Sequence, residues 1–325
     1  PKKNITILSA DVKGDNTPDE FTTNRDDDLT SCLIFSATTP DDIIKLYGLT
    51  FEGMKNQYPG FNTLCNIYSG SAEIEKCTFQ GCSSAMRFGK SNVTISNCLF
   101  EQNNSVFNWT IGNLELTNST FTNNTYISIG PTLYYAMGSS DTDEYRNFEI
   151  TNCTFFNNHI FSLAGKSKST CKLNNNAIIL DLDDEDEFRI SSEGTVSLIG
   201  NIIKADKITT NTGNPNITTE NNLFCATDIS NELKTGSNIL SGSTVFLASK
   251  LEDNGGYTPT LRLMYDETEE EESLRFKRKE TTPVGDQRNM LRAENTCMGA
   301  YEKGSSEIAP TFITTIADTL FLGQK

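Results

Sequence analysis

Hydrophobic and polar residues alternate in one eight-residue pattern that recurs along most of the chain. In its clearest copy, Val93 to Phe100, apolar residues occupy the first, third and last places, a small or apolar residue the sixth, and Asn97 the fifth. The later copies end 28, 21, 21, 34, 23, 25 and 21 residues apart, at Phe51, Phe79, Phe100, Phe121, Phe155, Ile178, Ile203 and Phe224. A repeat of this size that lengthens only by insertion indicates a solenoid.

The spacing of the apolar places requires a corner inside each copy. The first and third places alternate with polar residues, as do the sixth and eighth, so each pair lies on one face of a strand. The step from third to sixth is odd, so both pairs face inward only if the chain turns between them. Most copies have Asn or Gly at the fifth place, and both tolerate a left-handed backbone. The pattern therefore predicts an all-β fold, a right-handed parallel β-helix of about nine to ten coils.

The same pattern predicts what fills the helix. The terminal Phe residues should stack inside at the strand spacing of ~4.8 Å, and the corner Asn residues should form a ladder of amides that bond the next coil. Cys77, Cys98 and Cys153 share the sixth, inward place, where a thiol packs as a small apolar group. A first copy is expected at Ile5 to Val12, with Ser9 at the corner.

Changes in the pattern divide the chain into three predicted segments. Residues 1–250 form the parallel β-helix, and residues 251–302 form a small C-terminal cap region with a charged insertion. Residues 303–325 resemble a lead-in or linker to a further domain.

The net charge of the chain argues against some classes of binding partner. The chain has 325 residues, with Lys+Arg 27, Asp+Glu 43 and a net charge of −16, which argues against binding nucleic acid or anionic membranes. No apolar run approaches the length of a membrane span. Zinc is not expected, because there is one His and no ligand spacing among the nine Cys.

The longest insertion, Gly130 to Arg146, is a candidate ligand-binding loop. Long loops on a rigid scaffold often bind ligands, and tyrosines combined with carboxylates are typical of glycan sites, where rings stack and oxygens bond hydroxyls. A loop that merely covers one coil is the alternative. The candidate ligand-binding residues are Tyr134, Tyr135, Asp141, Asp143 and Tyr145.

An acidic run in the following coil is a candidate calcium site. Its carboxylates could supply the oxygen ligands that Ca²⁺ prefers, although an acidic turn exposed to solvent is the alternative. The candidate metal ligands are Asp181, Asp183, Asp184 and Asp186. Arg87 and Arg189 are expected on the outward face of the third strand of their coils, where they could neutralise a uronate or take a proton. With Asp183 they are the candidate catalytic residues, and no sequence spacing joins them.

Two C-terminal blocks resemble a known group of proteins. They are Leu251 to Leu261 (LEDNGGYTPTL) and Gly285 to Glu302, with Gly285-Asp286-Gln287-Arg288, Arg292 and Cys297-Met298-Gly299-Ala300-Tyr301-Glu302. Together they are similar to the C-terminal end of bacterial β-helix surface proteins of the choice-of-anchor Q type, in the pectate-lyase-like superfamily. The Gly-Ser-Pro-Ala-Ile-Asp segment of that family is replaced here by the charged insertion. The resemblance implies an exported, surface-anchored protein and no particular activity.

These observations indicate two alternative functions. The first is a secreted or cell-surface, non-catalytic protein of a bacterium, an adhesin or glycan-binding β-helix whose partner is a glycan or the surface of a host or neighbouring cell. The alternative is a polysaccharide lyase or glycoside hydrolase in an outer groove, with Ca²⁺ as a possible cofactor. Whether the chain is an enzyme stays open, and the regular coils favour the non-catalytic function. Converging Asp, Arg and Lys in a groove would favour the enzyme, and a flat polar face the adhesin.

Overall fold

The structure is a computed structural model. It describes residues 6–9, 33–36, 42–54, 65–110, 112–129, 146–165, 168–180, 186–210, 216–241, 248–263, 274–280, 282–303 and 306–307. Within these ranges the regular elements are β-strands, apart from one three-residue 3-10 helix, η1, at Asn231–Leu233. The strands form three large parallel sheets, named A, B and C, and two short antiparallel pairs. The predicted all-β parallel β-helix is therefore confirmed.

Sheet A contains ten strands in chain order. They are β1 (Thr6–Ser9), β4 (Leu49–Met54), β6 (Thr78–Cys82), β8 (Leu99–Glu101), β11 (Thr120–Thr122), β14 (Thr154–Phe156), β17 (Ala177–Ile179), β20 (Ile202–Lys204), β23 (Leu223–Cys225) and β25 (Ile239–Ser241). The last residues of the predicted copies, from Phe51 to Phe224, lie opposite one another in this sheet. The ten strands agree with the expected nine to ten coils.

Sheet B forms the side that precedes sheet A in each coil. It contains β2 (Leu33–Phe35), β3 (Ile43–Tyr47), β5 (Cys65–Glu75), β7 (Met86–Ser96), β9 (Phe107–Thr110), β10 (Asn113–Thr117), β13 (Arg146–Thr151), β16 (Ser169–Asn174), β19 (Thr195–Ile199) and β22 (Asn216–Glu220). Strands β5 and β7 are each 11 residues long, because they run from the third side of one coil into the first side of the next. Accordingly β5 pairs with β2 near its start and with β3 near its end.

Sheet C is the third side of the later coils. Its strands are β12 (Tyr126–Ile129), β15 (Ile160–Gly165), β18 (Glu187–Ser192), β21 (Lys207–Thr210) and β24 (Asp228–Ile229). A bridge between Ser105 and Tyr126 joins the chain before β9 to β12, so the third side continues from the early coils into sheet C. One coil therefore consists of three strands, one on each side of the helix.

Stacked aromatic rings fill the space between the sheets. Phe51, Phe79, Phe100, Phe121 and Phe155 are buried, and neighbouring ring centroids lie between 4.6 and 5.0 Å apart, with the planes tilted by no more than 13°. These distances match the strand spacing, because each ring occupies the same place in successive coils. The predicted stack is confirmed.

The cysteines at the sixth place are inside the helix, as the pattern predicted. Cys77, Cys98 and Cys153 are at most 1% exposed. Burial raises the pKa of Cys153 to about 12, so this thiol stays neutral. These three cysteines therefore pack inside the helix as small apolar groups.

Left-handed backbone marks the corner of every described copy after the first. The corner residues have φ between 51° and 68°: Gly48, Lys76, Asn97, Asn118, Asn152, Asn175, Gly200 and Asn221. A second left-handed corner follows sheet A in several coils, for example at Asn123 and Asn157, with φ of 55° and 53°. Because Asn tolerates this conformation better than other residues with a side chain, its regular phase fixes where the chain turns.

The asparagine ladder lies one residue later than predicted. Asn176, Asn201 and Asn222 follow the corner residue, are fully buried, and accept a bond from the backbone N–H of the preceding coil at 2.9 Å. A second ladder joins Asn103, Asn124 and Asn158 after the second corner. The left-handed residue turns its own side chain away from the interior, and the next residue points in. The corner asparagines bond elsewhere, and Asn152 donates to the carbonyl of Gly285 at 2.8 Å.

The first predicted copy was wrong in register by four residues. Leu8 lies opposite Phe51, where the copy from Ile5 to Val12 would have placed Val12. Ile7 and Leu8 are 51% and 41% exposed. Apolar residues are close together in this stretch, so more than one alignment satisfies the pattern, and strand pairing decides between them.

The described residues of the C-terminal segment (251–263, 274–280, 282–303 and 306–307) pack along the outer face of sheet A. Strands β26 (Arg275–Lys277) and β28 (Asn295–Cys297) pair within it, as do β27 (Met290–Leu291) and β29 (Ser306–Glu307). A second apolar core joins Ile179, Ile202, Leu223 and Cys225 of sheet A to Leu261, Leu263, Leu274, Phe276, Cys297 and Met298. These residues therefore shield the apolar outer positions of the later coils.

Candidate functional site

The outer face of sheet C is the candidate site. Alternation along its strands turns one set of side chains inward and the other outward, up to the buried Ala164 and Gly165 at the end of β15. The outward side chains form two rows that cross the strands. One row contains Tyr126, Ile160, Glu187, Lys207 and Asp228, and the other contains Ser128, Ser162, Arg189 and Thr209. Arg189 thus lies on the outward face, as the sequence predicted.

A compact polar group occupies the middle of this face. Glu187 accepts hydrogen bonds from Arg189 and from the hydroxyl of Thr209 in the next coil. Burial alone would raise the pKa of the Glu187 carboxyl, but the bonds from Arg189 and Thr209 outweigh it and hold the pKa below its usual range. The side chain of Arg189 is 42% exposed and that of Glu187 is 15% exposed. A carboxylate therefore lies under a guanidinium that faces solvent.

A histidine and an aspartate meet beside this group. The Nδ1 atom of His159 lies 2.8 Å from Oδ1 of Asp186, and their side chains are 26% and 1% exposed. Each residue immediately precedes its strand, and Ile160 pairs with Glu187, so the pair spans two adjacent coils. A buried carboxylate bonded to Nδ1 fixes the orientation of the imidazole ring.

The pattern along the chain does not predict this pair, and Asp186 was predicted only as a member of the acidic run. His159 lies 4 residues after Phe155, whereas Asp186 lies 8 residues after Ile178. The extra residues precede β18, so alignment on sheet A alone does not place the two side chains together. Alignment of the third strands, Ile160 with Glu187, would have found the contact.

Arg87 lies far from Arg189 on the same side of the helix. It alternates with the inward residues Met86 and Phe88, but it is only 9% exposed, and its guanidinium lies 5.8 Å from the ring centre of Tyr68. Strands β9, β12 and β15 lie between β7 and β18, which separates the two arginines by about 19 Å at the usual strand spacing. The two arginines cannot act on the same atom of a substrate.

Most of the candidate loop and metal residues lie outside the described residues. These are Tyr134, Tyr135, Asp141, Asp143 and Tyr145, and also Asp181, Asp183 and Asp184. Their flanking strands show where the two segments join the helix: the first connects β12 of sheet C to β13 of sheet B, and the second connects β17 of sheet A to β18 of sheet C. The first segment therefore follows the C-terminal end of one strand of sheet C, and the second precedes the N-terminal end of another.

Of the predicted calcium ligands, the structure describes only Asp186. Its carboxylate contacts His159, and imidazole is not a ligand that Ca²⁺ prefers. Among the described residues no three His, Cys, Asp or Glu side chains come together as a metal site would require.

The blocks that resemble a known family form a buried network in the C-terminal segment. Arg292 and Glu302 are at most 2% exposed, with 3.3 Å between Nη1 of Arg292 and Oε2 of Glu302. Nη2 of Arg292 donates to Oδ1 of Asn152, a corner residue of the helix, at 2.9 Å. Asp286 accepts bonds from Arg288 and from the backbone N–H of Glu302. These charged residues fasten the segment to the β-helix.

Gln287 of the same block bonds sheet A directly. Its side chain donates to Thr120 at 2.7 Å and to Thr258 at 2.9 Å, and it accepts a bond from Thr154 at 2.5 Å. Sequence reasoning named this residue only for its family resemblance. The contacts assign it a structural role between two coils and the C-terminal segment.

Comparison with known proteins finds no relative. No family model matches the chain, and neither a curated protein nor a solved structure matches it. The resemblance of the C-terminal blocks therefore rests on their residues alone. Among the described residues, none of the helical structure has the length and apolar character needed to cross a membrane.

Proposed function

We propose that this chain is a non-catalytic β-helix protein of a bacterial cell surface, an adhesin that binds a glycan on the outer face of sheet C. The observation that supports it most is the form of this face. On the described strands, the carboxylate of Glu187 is already bonded to Arg189 and Thr209. A face whose carboxylate is already bonded, with an exposed aromatic ring nearby, suits binding better than turnover.

The chemistry of the face matches that of a sugar. The ring of Tyr126 is 46% exposed and can stack on the apolar side of a pyranose. Serine, threonine and arginine side chains of the neighbouring row can bond its hydroxyl groups. The candidate loop with Tyr134, Tyr135 and Tyr145, and with Asp141 and Asp143, begins at the end of β12 and would add to the same site.

Membership of the choice-of-anchor Q type is part of the proposal. The two blocks that resemble this family are joined by contacts, since Gln287 of one bonds Thr258 of the other. The charged residues of the second block are buried and bonded to the helix. Such a segment would close the side of an exported β-helix before an anchor.

The test combines binding and turnover. The protein is applied to a glycan array and, in parallel, incubated with polysaccharides with and without Ca²⁺, while new reducing ends and unsaturated uronates are measured. We expect saturable binding and no turnover. Turnover that is lost in both Asp183→Ala and Arg189→Ala would overturn the proposal in favour of an enzyme.

The second candidate function is a polysaccharide lyase or glycoside hydrolase on the same face, and the His159–Asp186 contact favours it. A ring held at Nδ1 by a buried carboxylate is a common arrangement for a general base. His159→Gln separates the two functions, because it should abolish turnover by an enzyme and leave the affinity of an adhesin within about twofold of wild type.

A further inference from the structure

The two rows on sheet C differ in polarity in a way that suits an extended ligand. The first begins with the ring of Tyr126 and continues with the partly buried side chain of Ile160, and the second begins with the hydroxyls of Ser128 and Ser162. Both rows then reach β18, at Glu187 and Arg189. A ligand with an apolar face and a hydroxyl edge would fit along both rows.

The length of this surface sets a minimum size for the ligand. Tyr126 and Glu187 are two strands apart, as are Ser128 and Arg189. Two strand spacings amount to about 10 Å, which is more than one sugar ring spans. A ligand that stacks on Tyr126 and bonds Arg189 must therefore contain at least two linked rings.

Charge on the far side of the surface selects against acidic sugars. Hydrogen bonds from Arg189 and Thr209 hold the pKa of Glu187 below its usual range, so its carboxylate is ionised at neutral pH. The two cations of this face, Arg189 and Lys207, are matched in number by the carboxylates of Glu187 and Asp228 in the same rows. The face therefore has no excess positive charge to attract a uronate, and a uronate carboxylate on Arg189 would lie beside that of Glu187, in a chain whose net charge is −16. A sugar hydroxyl avoids the repulsion, because it can bond the guanidinium as an acceptor and the carboxylate as a donor.

We infer that the outer face of sheet C binds a neutral oligosaccharide of two or more rings, which stacks on Tyr126 and bonds Arg189 and Glu187. The inference rests on the proposed glycan-binding function and adds to it the length and charge class of the ligand. Tyr126 and Arg189 would both contact the sugar, at the two ends of the bound segment.

Calorimetry on the full chain tests length and charge. The probes are gluco- and manno-oligosaccharides of one, two and four units, together with a galacturonate tetramer. We expect affinity to rise from one unit to two, and the galacturonate to bind at least tenfold more weakly than the best neutral tetramer. Equal or tighter binding of the galacturonate would overturn the inference. If none of these probes binds but the glycan array gives an acidic glycan as ligand, the inference is wrong and the proposed function survives. If the array also gives no ligand, the proposed function itself fails.

Single substitutions test whether the oligosaccharide binds on sheet C. Tyr126→Ala should weaken binding of the neutral tetramer about tenfold, because it removes the stacking surface. Tyr257→Ala is the matched control, an exposed tyrosine outside sheet C, and should change affinity less than twofold. Glu187→Gln should raise the affinity for galacturonate at least threefold, because it removes the negative charge. Unchanged binding in Tyr126→Ala, or no gain in Glu187→Gln, would contradict the inference while leaving glycan binding elsewhere intact.

Discussion

Arginine and carboxylate side chains meet in two regions of this molecule with opposite surroundings. In the C-terminal segment, Arg292 and Glu302 are completely enclosed, with side chains 0% exposed. On sheet C, Arg189 and Glu187 are also in contact, but the guanidinium is 42% exposed. The residue types are the same in both regions, and the access of water differs.

Burial of an arginine–carboxylate pair determines whether it can still bond a ligand. The buried pair must be satisfied by the protein itself, and Arg292 donates to Asn152, Thr296 and three carbonyls in addition to Glu302. Such a network fixes how the segment lies on the helix and leaves no donor for a ligand. The exposed pair contributes little to stability, and the guanidinium of Arg189 is 42% exposed. This difference in exposure is why we propose binding on sheet C, whereas the C-terminal segment has a structural role.

The largest effect is expected from Arg292→Met. This substitution removes the cation while Glu302 stays buried, so we expect a loss of about 3–5 kcal/mol in the free energy of unfolding. Urea denaturation followed by circular dichroism measures it. Arg262→Met is the control, since Arg262 is 46% exposed and lies 3.5 Å from Glu252, and its loss should stay below about 1 kcal/mol. Similar losses in the two variants would remove the distinction between the regions.

Gln287→Ala should have the next largest effect. The substitution leaves the hydroxyls of Thr120 and Thr154 without their side-chain partner under the C-terminal segment, at an expected cost of about 1–3 kcal/mol. Gln80→Ala is the matched control: Gln80 faces outward on sheet A in an early coil, and its side chain donates to Glu52 at 2.9 Å. Its substitution should change stability by less than about 0.5 kcal/mol. An equal effect at both positions would argue that the contacts of the C-terminal segment with sheet A do not stabilise the fold.

The sequence predicted the interior well, because packing obeys a period. Phe51 to Phe155 stack as expected, since each coil must present an apolar side chain at the same place. The asparagine ladder was misplaced by one residue because the pattern shows where the chain turns, but not which way the left-handed residue points its side chain. The backbone dihedral angles at the corner decide the direction of that side chain, and the spacing of residues in the sequence carries no information about it.

The candidate site was predicted only in part, for two physical reasons. Insertions of different length move the third strand relative to sheet A, which hid the contact between His159 and Asp186. Burial of the C-terminal motif depends on apolar contacts between segments far apart in the chain, such as Leu223 with the cluster around Leu261. No local pattern reports such contacts, so Asp286 and Arg292 could not be assigned a structural role from sequence.

The smallest expected effect is on the pH dependence of stability, to which Glu187 of the exposed ion pair contributes. Its folded pKa is below the unfolded value of about 4.3. The stabilisation is therefore fully present above about pH 5 and is lost as the pH falls through the folded pKa. Between pH 6 and pH 3, wild type should lose slightly more stability than Glu187→Gln, by well under 1 kcal/mol, since Arg189 is exposed to solvent.

Urea denaturation of both proteins at several pH values in this range measures the difference. At pH 6 Glu187→Gln should be slightly less stable than wild type, because the neutral amide accepts weaker bonds from Arg189 and Thr209. The two curves should converge at low pH, where the wild-type carboxyl is also neutral. A difference that grows as the pH falls would mean that Glu187 is held protonated, and sheet C would then have no ion pair to compare with the buried one.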